Sequence, residues 1–396
     1  MFLLNILLIV GLVSAGGCKQ EDVSAKPSTE VPAVEVTRLV SAKFIGEYTP
    51  AQIKSRIGNR AEIGLFTKYS VKVYSLVYTT TDTKGQPVQA SGALLVPVAN
   101  QAFPLLSLQH GTITDDKNAP SYYGSNSEVW TFGTVMASSG YILAAPDYLG
   151  YGVSRQLAHP YEHASSLANA SADLLLAAKE FFRQNSVQWN KQLFLAGYSE
   201  GGYATMALHK HLQENYAEEL PVTASAPGAG AYNKTAFAKD ILQNNRPLEY
   251  INSYLWVLQT YNTVYELNRP FSYYLNQPYA GQVQKFGVQA QVSKYPQQLF
   301  TDTFKKAVLT GSDTDLLKTF VDNNIFDWKP EAPVYLIHGT ADDFVPFYNS
   351  QTAYDAMIAN GAIQVTLRKI EGGNHFSSVA AYTLETFMFF SSFGQQ

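Results

Sequence analysis

The chain has 396 residues, 46% of them hydrophobic and 15% charged, with a formal net charge of −4. That is ample apolar material for a large core, and without a Lys/Arg run the electrostatic footprint of a nucleic-acid binder is missing. The single cysteine, Cys18, excludes an intrachain disulfide.

Residues 2–13 form an apolar run broken only by Asn5 and Gly11. The run is too short to span a bilayer and fits the apolar region of an export signal, which assigns residues 1–17 as a signal peptide. Ser14-Ala15-Gly16-Gly17 then leads into Cys18. Small residues ahead of a lone cysteine resemble the lipobox of bacterial lipoproteins, in which the cysteine is lipidated and becomes the mature N-terminus. Ala15 stands where a lipobox usually carries a Leu-like residue, and no positive segment precedes the run. An ordinary secretory signal with an incidental cysteine is the alternative. The expectation is an exported protein held on a membrane of a bacterial cell envelope through Cys18, or otherwise secreted.

Residues 18–35 are polar, with Pro27 and Pro32, and cannot bury enough surface to fold; they read as a tether. Thr49-Pro50 gives the N-cap and first position of a short helix ending at 57. Residues 70–80 place Val71, Val73, Ser75 and Val77 on one face, which predicts a strand, and 90–98 predict a second one antiparallel to it. Two apolar runs read as buried strands. One is 103–108, ending at Gln109-His110-Gly111-Thr112. The other is 141–145, ending at Pro146-Asp147-Tyr148-Leu149-Gly150-Tyr151-Gly152. Residues 165–182 have helical spacing.

Next comes Gln192-Leu193-Phe194-Leu195-Ala196, then Gly197-Tyr198-Ser199-Glu200-Gly201-Gly202, then a helix-like run from Tyr203. Strand, G-x-S-x-G and helix form the arrangement that lifts a serine onto a strained turn. A β-carbon at Gly197 or Gly201 would collide with the neighbouring strand or helix. The backbone N–H of Glu200 is left free to meet a developing oxyanion. The charge of Glu200 suits the helix N-terminus, and its side chain could also meet a substrate.

Strand and helix alternate again over 222–226, 333–337, a helix near 353–359, and 363–370. The pattern predicts an α/β fold with a mostly parallel sheet and helices on both faces. Residues 231–330 break the alternation. They are rich in aromatics, among them Tyr250, Tyr254, Trp256, Tyr261, Tyr265, Phe271, Tyr273, Tyr274 and Tyr279. They read as a mainly helical insertion between two core parts, 36–230 and 331–396. The insertion is either a cap offering an apolar pocket or a packed subdomain without substrate contacts.

An activated serine needs a base, a group that orients the base, and oxyanion donors. The strand at 333–337 runs into His338-Gly339-Thr340-Ala341-Asp342-Asp343-Phe344-Val345-Pro346, and Gly372-Gly373-Asn374-His375-Phe376 follows the next strand. Ser199, Asp342 and His375 therefore occur in the order nucleophile, acid, base. Asp343 is the competing acid. Among the other histidines, His209 and His211 lie on the helix after the turn. His338 belongs to the acid loop, and His110 orders the loop after the strand at 103–108. His159 and His163 have a spacing that could suit a metal, but no third ligand is visible in the sequence. Asp147 reads as a brace for the loop around Gly150 and Gly152.

The G-Y-S-E-G turn, the H-G-x-x-D-x-x-V-P stretch and the final G-N-H resemble the α/β-hydrolase superfamily. His110-Gly111, the stretch from Pro146 to Gly152 and His159-Pro160-Tyr161 are similar to bacterial secretory lipases and related esterases. The resemblance implies an α/β-hydrolase fold and serine hydrolysis of small-molecule or lipid esters without cofactor or metal. It also implies that the residue after the His-Gly pair, Thr112, gives the second oxyanion N–H, with Gly111 adjacent. Two other functions remain open from sequence: a prolyl-oligopeptidase-like serine peptidase, and a non-catalytic surface binding protein on the same fold. The peptidase family usually carries an upstream β-propeller, and the region before residue 70 is too short for one.

Overall fold

The computed structural model describes residues 37–57 and 66–394. The proposed signal peptide, Cys18 and the tether lie outside the described residues.

Among the described residues nine strands form one sheet: β1 Leu39–Tyr48, β2 Val71–Thr81, β3 Pro87–Pro97, β4 Phe103–Gln109, β5 Ile142–Pro146, β6 Trp189–Tyr198, β7 Ala224–Gly228, β8 Val334–Gly339 and β9 Val365–Ile370. Their order across the sheet is β1-β2-β3-β5-β4-β6-β7-β8-β9. The first three strands pair antiparallel with one another and β3 with β5; from β5 to β9 every pairing is parallel. This is the mostly parallel α/β sheet that the alternating pattern predicts.

The period-2 arrangement of side chains explains how the sheet is covered on two sides. Leu105, Ile142, Ala144, Leu193 and Leu195 enter one apolar cluster, together with Leu174, Leu175, Ala178 and Phe181 of the helix Ala164–Asn185. The alternate residues Leu106, Leu108, Leu143, Ala145, Phe194 and Ala196 enter a second cluster. There they meet Val135, Met136 and Ala137 of the helix Thr134–Ser139 and Phe390 of the helix Val379–Ser391. The predicted helix at 50–57 is present as Pro50–Ile57.

Between β7 and β8 the described chain is helical and builds a core of its own. Phe237, Ile241, Leu255, Tyr261, Phe300, Phe304 and Phe320 pack there, and Phe344 and Val345, from the loop after β8, join them. Its helices include Lys234–Gln243 and Ile251–Val264.

Candidate active site

Parallel pairing sets the ends of β4, β6 and β7 side by side, with Gln109 opposite Gly197 and Tyr198 opposite Gly228. Loops that leave this edge can converge, which is where sites form in open α/β sheets. Ser199 follows β6 with φ 61° and ψ −122°. That conformation is costly for a residue with a side chain. It is held by close backbone packing: a β-carbon on Gly197 would lie 2.5 Å from the Gln109 carbonyl oxygen, and one on Gly201 only 2.2 Å from it. The Ser199 N–H donates to Gly228 O at 2.9 Å, and the Gly197 N–H donates to the Tyr382 hydroxyl at 2.8 Å.

Ser199 Oγ lies 2.9 Å from His375 Nε2, and His375 Nδ1 lies 2.7 Å from Asp342 Oδ2. The other Asp342 oxygen accepts from the N–H groups of Phe344 and Val345 at 2.9 and 2.8 Å. Burial works against an ionised Asp342. The hydrogen bonds and charges of His338 and His375 outweigh it and bring the carboxyl down to about 2. Asp343 is exposed, while Asp342 is buried. The Tyr198 hydroxyl donates to His375 O at 2.7 Å, and the Tyr198 ring sits 5.2 Å from the imidazole.

Glu200 opens the helix Glu200–Asn215, so its N–H has no acceptor within the helix. Gly111 faces the serine: a β-carbon there would be 4.0 Å from Ser199 Cβ. Among the described residues the N–H of Thr112 has no acceptor, and its hydroxyl pairs with Tyr161 at 2.8 Å. His110 bonds Gly111 O at 2.7 Å and Asp147 O at 3.2 Å, ordering this loop. Asp147 is fully buried and accepts from Ser91 Oγ at 2.5 Å and Ser121 N–H at 2.7 Å. A β-carbon on Gly152 would strike its carboxylate, so Asp147 does brace the loop.

The remaining histidines have separate partners. His338 bonds Ser350 Oγ at 2.7 Å and Val345 O at 2.9 Å, buried His209 bonds Ser225 Oγ at 2.8 Å, and His163 bonds Ser166 Oγ at 3.0 Å. His159 bonds Leu149 O at 2.8 Å and the Glu200 carboxylate at 2.7 Å.

That last pair escapes sequence reasoning, which treats His159 as a metal candidate and Glu200 as a helix-dipole charge. The two residues are 41 apart in sequence, and no spacing rule joins them. Glu128 and the buried pair Lys234–Glu162 escape it for the same reason. Only the His159-Pro160-Tyr161 stretch gives a signal, since Tyr161 meets Thr112.

The insertion reaches the site from two directions. Trp256 stacks on Tyr161 at 4.5 Å and 9°. Tyr250 stacks on Phe344 at 4.1 Å and 15°, and the Phe344 ring lies 4.8 Å from His375. The Tyr254 hydroxyl donates to Phe344 O at 2.7 Å. An apolar cavity in the insertion is lined by Phe237, Ile241, Val257, Phe304 and Phe320, with Glu162 and Lys234 also on its wall.

A mostly parallel sheet with a strained serine at a strand-to-helix turn, and with Asp and His on the loops after β8 and β9, defines the α/β-hydrolase class. Two solved structures share this fold over nearly their whole length. A Legionella pneumophila protein described as a candidate hydrolase superposes with a TM-score of 0.82 at 25% identity, covering 91% of this chain and 99% of that one. The rice cell wall degrading esterase LipA from Xanthomonas oryzae does so with a TM-score of 0.76 at 25% identity, covering 90% and 98%. The model of the secretory lipase family matches residues 130–386, more than half of the chain, and the protein belongs to that family. Lipase 6 of Candida albicans is 24% identical over 312 residues, which is 71% of this chain and 64% of that protein. The chain thus spans less than two thirds of that relative's length.

Proposed function

We infer that this protein is an exported serine hydrolase of apolar carboxylic esters that works through an acyl-enzyme on Ser199. The observation that carries the reading is the hydrogen-bonded series Ser199–His375–Asp342, at 2.9 and 2.7 Å, on the carboxyl edge of the sheet. Membership of the secretory lipase family supports ester substrates and export.

In this reading Ser199 Oγ attacks the ester carbonyl while His375 Nε2 takes its proton. The oxyanion is met by the N–H groups of Glu200 and Thr112. Asp342 holds the Nδ1–H tautomer of His375 and stabilises the imidazolium. The imidazolium returns the proton to the leaving alcohol as the C–O bond breaks. His375 then deprotonates a water that attacks the acyl-enzyme and releases the acid and Ser199. The insertion acts as a cap, and its apolar cavity takes the acyl arm. No cofactor enters any step.

No helix among the described residues is long and apolar enough to cross a membrane. Cys18, behind its short apolar run, is the proposed point of lipid attachment. Replacing it (Cys18→Ser) moves the protein from the membrane fraction to the soluble one if that proposal holds, and leaves it in place if not.

A fluorophosphonate probe tests the central claim. It is expected to label Ser199 in the wild type and to label nothing in Ser199→Ala. An unlabelled wild type that also fails to hydrolyse p-nitrophenyl esters overturns the reading.

A further inference from the structure

We propose that Glu128 is a specificity-determining residue, a carboxylate beside the oxyanion loop that favours esters whose alcohol arm carries a positive charge and rejects those whose alcohol arm carries a negative one. The inference rests on the esterase reading above.

Glu128 Oε1 accepts the Gly111 N–H at 3.0 Å. Gly111 is the residue that faces the serine: the β-carbon position that lies 4.0 Å from Ser199 Cβ lies 3.3 Å from Glu128 Oε1. The carboxylate and the nucleophile are therefore separated by little more than the width of one residue, and Thr112, the proposed oxyanion donor, is next in sequence.

Besides Asp147, whose carboxylate Ser91 and Ser121 hold, four carboxylates crowd this region, and three of these are committed. Asp342 is held by His338 and His375, Glu200 by His159, and Glu162 by Lys234. All three are buried. Glu128 alone among the four is exposed to solvent, and no ion pair is made to it among the described residues. Partial loss of hydration raises its pKa, His110 and the Gly111 N–H oppose the rise, and Glu200 adds to it. A negative group short of partners and this close to the nucleophile gains by meeting a cation and loses by meeting an anion.

Geometry assigns the arm. Glu128 is not on the wall of the apolar cavity, whose lining comes from residue 162 and from the segments 234–258 and 300–320. With the acyl chain in that cavity, the group left on the Glu128 side of the serine is the alcohol.

The experiment compares three butyrate esters of similar shape: butyrylcholine, 3,3-dimethylbutyl butyrate, and butyrate of a hydroxy acid with a free carboxylate. The wild type is expected to show kcat/KM about tenfold higher for the cationic than for the neutral ester, and lower still for the anionic one. Raising the salt from 20 mM to 500 mM is expected to compress the series. Glu128→Gln keeps an acceptor for Gly111 N–H and removes the charge. It is expected to bring the cationic-to-neutral ratio to near one. An unchanged ratio in Glu128→Gln overturns the proposal, and so does an equal loss on all three esters, which marks a residue that only shapes the loop. A wild type that hydrolyses none of the three yet cleaves p-nitrophenyl butyrate overturns this inference alone, and one that also cleaves no p-nitrophenyl ester and takes no fluorophosphonate label overturns the esterase reading with it.

Discussion

At the sheet edge, Ser199 is fixed by backbone against backbone. Gly197 and Gly201 approach Gln109 so closely that no side chain fits, and strand pairing on both flanks forbids the turn from relaxing. In the helical insertion the groups near the site are held by rings. Tyr250 lies on Phe344, Trp256 on Tyr161, and one hydroxyl of Tyr254 reaches a carbonyl of the acid loop. Backbone packing gives one permitted position. Stacked rings give a smooth apolar wall that tolerates shape change, since each ring pair contributes only about 1 kcal/mol beyond its buried area. In the proposed reading, chemistry belongs to the edge and acyl-chain selectivity to the insertion. Changes at the edge should alter turnover by orders of magnitude, and changes in the insertion should shift preference among substrates by small factors.

The largest break in that contrast is at the edge. Ser199→Ala and His375→Ala are each expected to lower kcat on a p-nitrophenyl ester by about 10⁴-fold to 10⁶-fold, and the double variant by little more, because the two act as one unit. Losses that multiply would mean two independent contributions. Next in size is the acid. Asp342→Asn keeps the shape but offers His375 Nδ1 the wrong partner and is expected to cost about 10⁴-fold. Asp343→Asn, at an exposed position, is expected to stay within about twofold. Reversed effects would transfer the role to Asp343.

Asp342 also ties stability to acid. Its carboxyl titrates at about 2 in the fold, below its ordinary value near 4. A depressed carboxyl stabilises the folded chain above its unfolded pKa. The contribution, about 2 kcal/mol, is lost as pH falls from about 4 toward 2. Denaturant melts of the wild type and Asp342→Asn should therefore differ in their pH dependence across that window and run parallel above it. Parallel curves throughout would show that His338 and His375 do not favour the charged form.

The same contrast explains what the sequence made legible. Edge features have local signatures: the glycine spacing around Ser199, the H-G-x-x-D stretch, and period-2 runs in β4, β5 and β6. β1 lacks one. It is an edge strand with most residues exposed, so no apolar alternation marks it. The helix Val379–Ser391 is rich in apolar residues on several sides, with Leu384 and Met388 exposed, which hides its helical period. In the insertion, the broken alternation pointed to helices, and the aromatic composition left a cap and a packed subdomain both open. Which rings would meet the site depended on contacts such as Tyr250–Phe344, 94 positions apart, which no periodicity encodes. Glu128 was invisible for the same reason: its importance comes from Gly111, 17 residues earlier, across a loop.

The smallest expected effect sits in the insertion and tests whether its cavity receives substrate. Each methylene moved from water to an apolar wall is worth about 0.8 kcal/mol, roughly a fourfold gain in kcat/KM per methylene if the contact persists in the transition state. Rates for p-nitrophenyl esters should climb from acetate toward medium chains and level off when the cavity is full. Val257 lines that cavity, so Val257→Trp is expected to bring the plateau to shorter chains while leaving acetate hydrolysis within about twofold. The Gly197–Gly201 turn and the Ser199–His375–Asp342 series do not include Val257. A plateau that moves while the acetate rate stays therefore assigns chain length to the insertion alone. Acetate preferred over butyrate and octanoate in the wild type, under matched soluble conditions, would leave the insertion as a packed subdomain and return selectivity to the loops of the sheet edge.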